Sequence, residues 1–300
     1  MSQFLAGPVT ITVPATSANL GPGFDCLGLA LSLRDTLVGT EIESGLEVVV
    51  AGEGSRQIPS DERNLVVKSM RQAFAAMFVE PTGLRLECHN VIPQSRGLGS
   101  SSAAIVGGIT LARAMVLGGN LLLDENSCLA LANRIEGHPD NVAPALLGGF
   151  VISGQAELDV WAQPSPVDPR ISTVAFVPPH GVRTELARRM LPETVPHADA
   201  AANSGRAALL VAALGGAPER LFRGTEDFLH QTHRMRAMPD SLALMERLRM
   251  DGVPAVISGA GPTVLAFIVD DESDVESVVR HAPNGWVVHH LLVDHAGAGA

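Results

Sequence analysis

A glycine- and serine-rich stretch, PQSRGLGSSSAA at residues 93–104, places the strongest constraint on how this chain can fold. Gly97 and Gly99 carry no Cβ and accept positive φ, so the loop can turn successive backbone N–H groups toward one anion. The apolar run at 105–117 is typical of a buried helix, and a serine at 100–102 is placed to cap its first turn. Phosphate binds readily at such a helix start. The stretch predicts either a phosphate loop or a plain helix cap.

Two common nucleotide-binding motifs are excluded at this loop. A Walker A loop requires a lysine, and the only lysine in the chain is Lys68. A dinucleotide-binding fingerprint would require glycine at Ser102. A second glycine-rich loop, SGAGP, and a polar cluster in EGHPDN favour phosphoryl transfer, which needs phosphate contacts, a divalent cation and local positive charge. Ordinary turns and helix caps remain the alternative for each stretch taken alone.

The amino-acid composition is that of a folded protein and argues against a nucleic-acid-binding protein. Of 300 residues, 46% are hydrophobic and 18% charged, which predicts a folded chain with a substantial core. The net charge of −11 argues against binding the nucleic-acid backbone. No signal peptide or membrane-spanning run is evident, and three cysteines without a CxxC pair favour reduced thiols. We therefore expect a soluble, cytoplasmic protein without a membrane partner.

The order of helical and strand patterns predicts an α+β fold without a regular βαβ array. Residues 35–43 and 46–50 are expected to form a strand pair, 64–78 a helix, and 84–91 a strand entering the glycine loop. Three prolines in QPSPVDPR predict a boundary between one domain at 1–166 and a second at 167–300. The final AGAGA is typical of a frayed terminus.

Three stretches together carry a family resemblance. PxxSANLGPGFDCLG at 14–28, PxxxGLGSSSA at 93–103 and SGAGPT at 258–263 resemble, in order, the three signature motifs of the GHMP kinases. EGHPDNVAPALLGG at 136–149 and TELARRMLP at 184–192 are similar to the branch of that family that acts on L-homoserine. The resemblance covers essentially the whole chain.

This resemblance implies a fold and a reaction. The expected fold is a two-domain GHMP kinase architecture, with an N-terminal ATP-binding domain of the ribosomal S5 domain 2-like type and a ferredoxin-like C-terminal domain. The implied reaction is ATP-dependent phosphorylation of the L-homoserine hydroxyl to O-phospho-L-homoserine, toward threonine. Members of the family are often homodimers. The alternative is a GHMP kinase acting on mevalonate, a sugar or an isoprenoid precursor.

The resemblance also implies which residues hold the nucleotide and its metal. Mg²⁺ is assigned to Glu136 and Ser101, with Ser100 as an alternative ligand to Ser101, because hard oxygen ligands suit this ion. Asn64 matches a position near the adenine, although a helix N-cap explains it equally well. The residues expected to hold the phosphates of ATP are Pro93, Gln94, Ser95, Arg96, Gly97, Leu98, Gly99, Ser100, Ser101, Ser102 and Ala103.

The residues matched to the amino-acid substrate lie far from this loop. Asn19 and Asp25 are expected to hold its polar end, because an ammonium group needs a carboxylate or amide partner. Arg188 and Arg234 are matched to its carboxylate, which a guanidinium fork suits geometrically. Thr184 is a candidate for the pocket wall, with capping of a strand end as the alternative. The neighbouring Arg189 and Arg236 are expected to be solvated.

The catalytic assignment rests on the same comparison. Several relatives place an aspartate base against the accepting hydroxyl, whereas this branch has asparagine there, and Asn141 matches it. We therefore expect catalysis by positioning and electrostatics, with Asn141, its neighbour Asp140 and Arg188 as catalytic residues. His138 has no partner at ligand spacing, so no metal role is expected. Ser95 and Arg96 depart from the family pattern, in which glycine and a smaller residue are common.

Overall fold

The computed structural model describes residues 3–157, 159–182, 184–269 and 272–299. The strands are β1 (Val9–Asn19), β2 (Gly23–Glu41), β3 (Gly45–Gly52), β4 (Gly83–Asn90), β5 (Phe150–Ala156), β6 (Asp159–Ser165), β7 (Ile171–Val177), β8 (Ala255–Ile257), β9 (Val264–Val269) and β10 (Val287–Leu291). The helices are α1 (Leu65–Ala76), α2 (Ser100–Met115), α3 (Gly119–Leu122), α4 (Glu125–Glu136), α5 (Pro139–Leu147), α6 (Thr184–Arg189), α7 (His197–Leu214), α8 (Leu221–Gly224), α9 (Pro239–Met250) and α10 (Glu272–Val279). Two 3₁₀ turns occupy Pro218–Arg220 and Thr232–Ala237.

The first sheet is organised around the 19-residue strand β2. Among the described residues, its strands lie in the order β3-β4-β2-β5-β6, and β1 pairs with β2. The end of β2 pairs with β4 and its beginning with β5, while β3 and β4 run parallel. The prediction that residues 35–43 pair with 46–50 was wrong, because β4 lies between β2 and β3.

The second sheet lies in the other half of the chain. Its described strands are antiparallel and follow the order β10-β7-β9-β8. The helix α9 packs on β8 and β9, and α10 on β7 and β9. With helices and strands mixed in both halves, the protein has the α+β architecture that the sequence predicts.

The glycine loop reaches the first sheet through α2, which is apolar on most of its surface. This helix packs against β1 and β2 on one side and against α1, α4 and α5 on others. A Cβ at Gly107 would lie only 2.6 Å from Leu37 Cδ1, so a glycine allows α2 to approach β2 closely. The core thus fixes the start of α2, where the loop ends.

Residues 296–299 are ordered, contrary to the frayed terminus that their composition predicted, and Ala300 lies outside the described residues. The backbone N–H of Thr12 donates to Gly299 O at 2.7 Å, and the N–H of Gly299 donates to Thr12 O at 3.0 Å. Leu31 and Val293 form a second bridge. These residues therefore return to the first sheet, although they lie beyond residue 167. Within the described ranges, no helix has the length and apolar character needed to cross a bilayer.

Candidate active site

The glycine loop has the backbone conformation that its sequence predicts. Gly97 and Gly99 adopt φ of +77° and +70°. A Cβ at Gly97 would lie 2.3 Å from Ser258 O in the SGAGP loop, and one at Gly99 would lie 2.0 Å from Thr16 Oγ1. Ser258 Oγ also donates to Gly97 O at 2.6 Å. The two glycine-rich loops are therefore in contact, and glycine is required at both positions for packing as well as for φ.

The prediction that a serine at 100–102 caps α2 was wrong. The N-cap is Gly99, without a side-chain hydrogen bond, because the serines already belong to the first helical turn. Ser101 Oγ and Ser102 Oγ instead donate to the two carboxylate oxygens of Glu136, each at 2.9 Å. Glu136 is the last residue of α4, so α4 delivers a carboxylate to the start of α2.

A cavity of about 630 Å³ lies between the loop and the second half of the chain. Among the described residues, most of the predicted site lines it: Asn19, Asn64, Gln94, Ser95, Gly97, Gly99, Ser100, Ser101, Ser102, Ala103, Glu136, Asp140, Asn141, Thr184, Arg188 and Arg234. Four residues of the prediction are not part of this wall, namely Asp25, Pro93, Arg96 and Leu98. Their direct contact with ligands stays a prediction.

The end of the cavity next to β1, β2 and α1 has the apolar side chains Val13, Leu37 and Leu65 in its wall. Asn64 lies here as the N-cap of α1, accepting from the N–H groups of Val66 and Val67. Its capping role is therefore present in the fold, while its contact with adenine stays a prediction.

The buried side chain of Asp35 is also part of the wall at this end of the cavity. Its Oδ1 accepts from the N–H groups of Val91 at 2.6 Å and Ile92 at 2.9 Å, just before the glycine loop. Burial raises the pKa of Asp35 to about 6, although these two hydrogen bonds oppose the rise. Asp35 thus ties β2 to the lead-in of the loop.

The opposite end carries the predicted substrate residues. Asn19, at φ +68°, donates through Nδ2 to Gly259 O at 2.9 Å and accepts from the N–H of Asp25 at 3.0 Å. The Asp25 carboxylate forms a two-point ion pair with Arg188, with Nη1–Oδ2 and Nη2–Oδ1 distances of 3.0 and 2.6 Å. A carboxylate that could bind an ammonium group therefore lies next to a guanidinium that could bind a carboxylate, and these are the two charged groups of an amino acid.

Arg234 is the second cation of this end and is only 1% exposed. Its Nη1 donates to Gly259 O at 3.0 Å and to His230 Nδ1 at 3.2 Å, whereas its buried Nε has no hydrogen-bond partner in the described structure. Burial, followed by the charge of Arg188, lowers the pKa of Arg234 to about 10. An unsatisfied buried donor beside a second guanidinium favours an anionic ligand.

The neighbouring His230 is buried in its neutral form. Its Nε2–H donates to Gly21 O at 2.7 Å, which leaves Nδ1 to accept from Arg234. Burial lowers the pKa of His230 and outweighs the charge of Asp227, in agreement with this tautomer. The rival arginines, Arg189 and Arg236, are exposed as expected.

Asp140 and Asn141 lie in the first turn of α5, between the two ends of the cavity. Asn141 Oδ1 accepts from Thr16 Oγ1 at 2.8 Å beside Gly99, so it lies against the glycine loop. Asp140 is buried, and its Oδ1 lies 2.6 Å from His138 Nδ1. Burial acts to lower the pKa of His138, but the hydrogen bond and charge of Asp140 prevail and raise it.

The predicted metal ligands fit a divalent cation that also contacts phosphate. Glu136 offers two carboxylate oxygens and Ser101 a hydroxyl at the N-terminus of α2, which are hard oxygen donors. No group of three His, Cys, Asp or Glu side chains suited to a metal occurs within the described ranges. A cation here would therefore need oxygen ligands from a bound nucleotide, as is usual for Mg²⁺.

Several side chains of the site were missed from the sequence, among them Asp35, His138 and Phe24. His138 lines the cavity, and its signal was the spacing to Asp140 in EGHPDN. The ring of Phe24 lies 5.6 Å from the guanidinium carbon of Arg188 and 5.7 Å from that of Arg234. An aromatic residue between Gly23 and Asp25 was its only signal, because both arginines lie more than 160 positions away in the sequence.

Comparisons with known proteins agree with this geometry. The family model for the GHMP kinases N terminal domain matches residues 64–149. The chain is 54% identical to homoserine kinase of Streptomyces avermitilis over 298 residues, covering 98% of the chain and 96% of that protein.

Solved structures extend the similarity to the fold. Homoserine kinase from Cytophaga hutchinsonii has a TM-score of 0.86 at 26% identity and covers 100% of this chain and 99% of its own. L. major mevalonate kinase, solved with R-mevalonate, has a TM-score of 0.73 at 15% identity, with 99% and 100% covered, and shares the fold alone. Both ends of the cavity therefore fall within the compared regions.

Proposed function

The chain belongs to the homoserine kinases of the GHMP kinase family, and from this premise we propose that it phosphorylates L-homoserine with ATP. The hydroxyl oxygen of homoserine attacks the γ-phosphorus, the bond from this phosphorus to the β–γ bridging oxygen breaks, and the hydroxyl proton is released. The products are O-phospho-L-homoserine and ADP. This reaction supplies a phosphate ester for threonine synthesis.

The observation that carries the proposal is the meeting of two different binding surfaces in one cavity. One surface is the glycine loop at the N-terminus of α2, which suits phosphates. The other is formed by Arg188 and Arg234 in the wall, together with Asp25, which pairs with Arg188 without being part of the wall, and this set of charges suits a zwitterion. A kinase for mevalonate or a sugar would have no use for this set of charges, since neither acceptor carries an ammonium group.

On the donor side, we assign the phosphates to the backbone of the loop and the first turn of α2. Four N–H groups at the start of a helix lack intrahelical partners, and the helix dipole adds positive partial charge. The base of the nucleotide would then occupy the apolar end beside Leu65 and Asn64. Residues 97–103 would therefore contact the phosphates mainly through their backbone N–H groups.

We assign Mg²⁺ to Glu136 and Ser101, because their oxygens already converge at the start of α2. When bound, the cation would neutralise charge on the β- and γ-phosphates. Ser102 also donates to Glu136 and would hold the carboxylate in place during binding.

On the acceptor side, the ion pair between Asp25 and Arg188 would be exchanged for contacts with substrate. The ammonium group of homoserine would bind Asp25 and Asn19, and its carboxylate would bind Arg188 and the free Nε of Arg234. The hydroxyl would then face Asn141 and the loop. We propose that positioning and electrostatics supply most of the catalysis, without a strong general base.

A coupled ADP-release assay with homoserine, mevalonate and galactose as separate acceptors tests this function. We expect turnover with homoserine alone. Arg188→Ala should lower kcat/KM for homoserine ~10- to 100-fold, as expected for the loss of a hydrogen-bonded charged contact, whereas the exposed neighbour Arg189 provides the control Arg189→Ala. Turnover with another acceptor and none with homoserine would refute the proposal.

The proposal includes a homodimer, which the family resemblance supports, and a cytoplasmic location, which the composition and cysteine count favour. Size-exclusion chromatography with light scattering would measure the mass directly. A mass near the chain mass of 31.4 kDa at micromolar concentration would contradict the dimer.

A further inference from the structure

Arg96 lies in the glycine loop but is bonded to a different part of the molecule. Its Nε donates to Pro178 O at 3.0 Å and its Nη2 donates to Pro179 O at 2.6 Å. The remaining Nη1 donates to Gln94 O at 2.7 Å, within the loop itself. The guanidinium therefore connects the loop to the segment that follows β7.

The same two segments are joined by the main chain. The backbone N–H of Val182 donates to Ser95 O at 3.2 Å. A Cβ at Gly181 would lie 2.6 Å from Arg96 Nη1 and 2.7 Å from Ser95 O, so only glycine allows this close approach. We call residues 178–182 the bridging segment.

The bridging segment leads directly to the acceptor end of the site. The helix α6 begins at Thr184, two positions after Val182, and carries Arg188. The loop on the other side of the contact carries the N–H groups assigned to ATP. One side chain thus lies between the part that holds the phosphoryl donor and the part that holds the acceptor.

We infer that Arg96 is a positioning residue that fixes the ATP-binding loop and the acceptor-binding helix α6 relative to each other. The inference rests on the proposed function. It differs from a phosphate-binding role for Arg96, because three of its N–H donors are directed to carbonyl oxygens and the residue is not part of the cavity wall.

The two roles have different kinetic consequences. Loss of a positioning contact misplaces the reacting groups, and a misplacement of 1 Å can lower a rate ~100-fold. For Arg96→Ala we expect kcat to fall ~10- to 100-fold and KM for homoserine to rise severalfold, because Arg188 shifts. The dissociation constant of a non-hydrolysable ATP analogue with Mg²⁺ should change less than about threefold, since no phosphate ligand is lost.

The test compares four variants for kcat, KM, melting temperature and analogue binding by calorimetry. Arg96→Ala removes the contacts, and Arg96→Lys should restore part of kcat. Gly181→Ala displaces the bridging segment while keeping the guanidinium. Arg249→Ala is the control, because Arg249 also donates to backbone carbonyls, those of Phe222 and Ala255, away from the cavity.

The outcomes separate the possibilities. Loss of kcat with normal analogue binding in Arg96→Ala and in Gly181→Ala, but not in Arg249→Ala, supports the inference. Analogue binding weakened tenfold would make Arg96 a phosphate ligand, and wild-type kinetics with a lowered melting temperature would leave it purely structural; either result overturns the inference. If Arg96→Ala does not fold, Gly181→Ala and Arg96→Lys decide. Absence of homoserine turnover in the wild type would instead refute the proposed function.

Discussion

Asp140 and Asn141 are adjacent in sequence but have different partners, and this difference matters for catalysis. Asp140 is 2% exposed and bonded to His138, whose pKa is raised by that contact against the effect of burial. The carboxylate is thus engaged with an imidazole that retains its proton to higher pH than usual. Asn141 contacts Thr16 beside the glycine loop, where an acceptor hydroxyl would meet the γ-phosphate. We therefore expect Asn141 to orient the hydroxyl and Asp140 to position His138.

Kinetics of Asn141→Ala and Asp140→Asn test this division of roles. Asn141→Ala should lower kcat ~10- to 100-fold by loss of positioning, and Asp140→Asn should lower it by ~10-fold or less. Removal of a general base costs ~100- to 10,000-fold. A collapse of kcat in Asp140→Asn with unchanged KM, together with near-normal Asn141→Ala, would identify Asp140 as the base.

At the scale of elements, the site depends on how closely α5 approaches β2. A Cβ at Gly28 of β2 would lie 1.9 Å from Asp140 O and 2.7 Å from Pro144 Cγ. The glycine therefore lets the first turn of α5 rest directly on the strand. Because this turn carries Asp140 and Asn141, the distance between α5 and β2 sets where the two side chains stand in the cavity.

Gly28→Ala should displace α5 and lower both activity and stability. We expect kcat to fall at least ~10-fold and the melting temperature to drop, since overpacking typically costs ~1–3 kcal/mol. Gly205 provides the control: it is exposed within α7, and a Cβ there would meet no atom within 4 Å. Gly205→Ala should keep wild-type kinetics and gain up to ~1 kcal/mol of helix stability. Equal activity of both variants would show that α5 tolerates the shift.

The sequence predicted well those elements whose pattern lies within the element itself or next to it in the chain. The apolar stripe and Asn64 mark α1, and the glycines mark the loop before α2. The pairing of β2 with β3 was predicted wrongly because adjacent segments often pair. Here β4, which begins 31 positions after the end of β3, lies between them in the sheet. Gly23 and Gly28 at the start of β2 are typical of turns and give no strand signal. Their role depends on α5 and on the cavity, which no local pattern reveals.

For the molecule as a whole, the substrate residues could be predicted from the resemblance of motifs to a family. The positions of these residues along the sequence would not have identified them. Arg188 and Asp25 are 163 positions apart, yet their side chains form a two-point ion pair. Resemblance selected Arg188 over Arg189, and the structure adds a reason, since Arg188 reaches Asp25 and the ring of Phe24. The proposed site thus depends on contacts between both halves of the chain.

The end of the chain adds a further connection between the halves. After β10, Asp294 accepts through Oδ1 from the N–H groups of Ala296 and Gly297, and its carboxylate pairs with Arg34 of β2. Arg34 also donates to Thr12 O and Gly297 O. Asp294 therefore holds the segment after β10 against β1 and β2. The sequence did not predict this role, because the segment is rich in Ala and Gly.

Asp294→Ala should destabilise the whole protein far more than a comparable surface change. The variant leaves the Arg34 guanidinium and two N–H groups without their carboxylate, and breaking a largely buried pair costs ~3–5 kcal/mol. Asp61→Ala is the control, because its ion pair with Arg63 is exposed and such pairs contribute ~1 kcal/mol or less. Urea unfolding of both variants measures the difference. Equal midpoints would mean that the Asp294 contacts stabilise the protein no more than an exposed ion pair does, and a drop confined to Asp294→Ala would show that the fold depends on them.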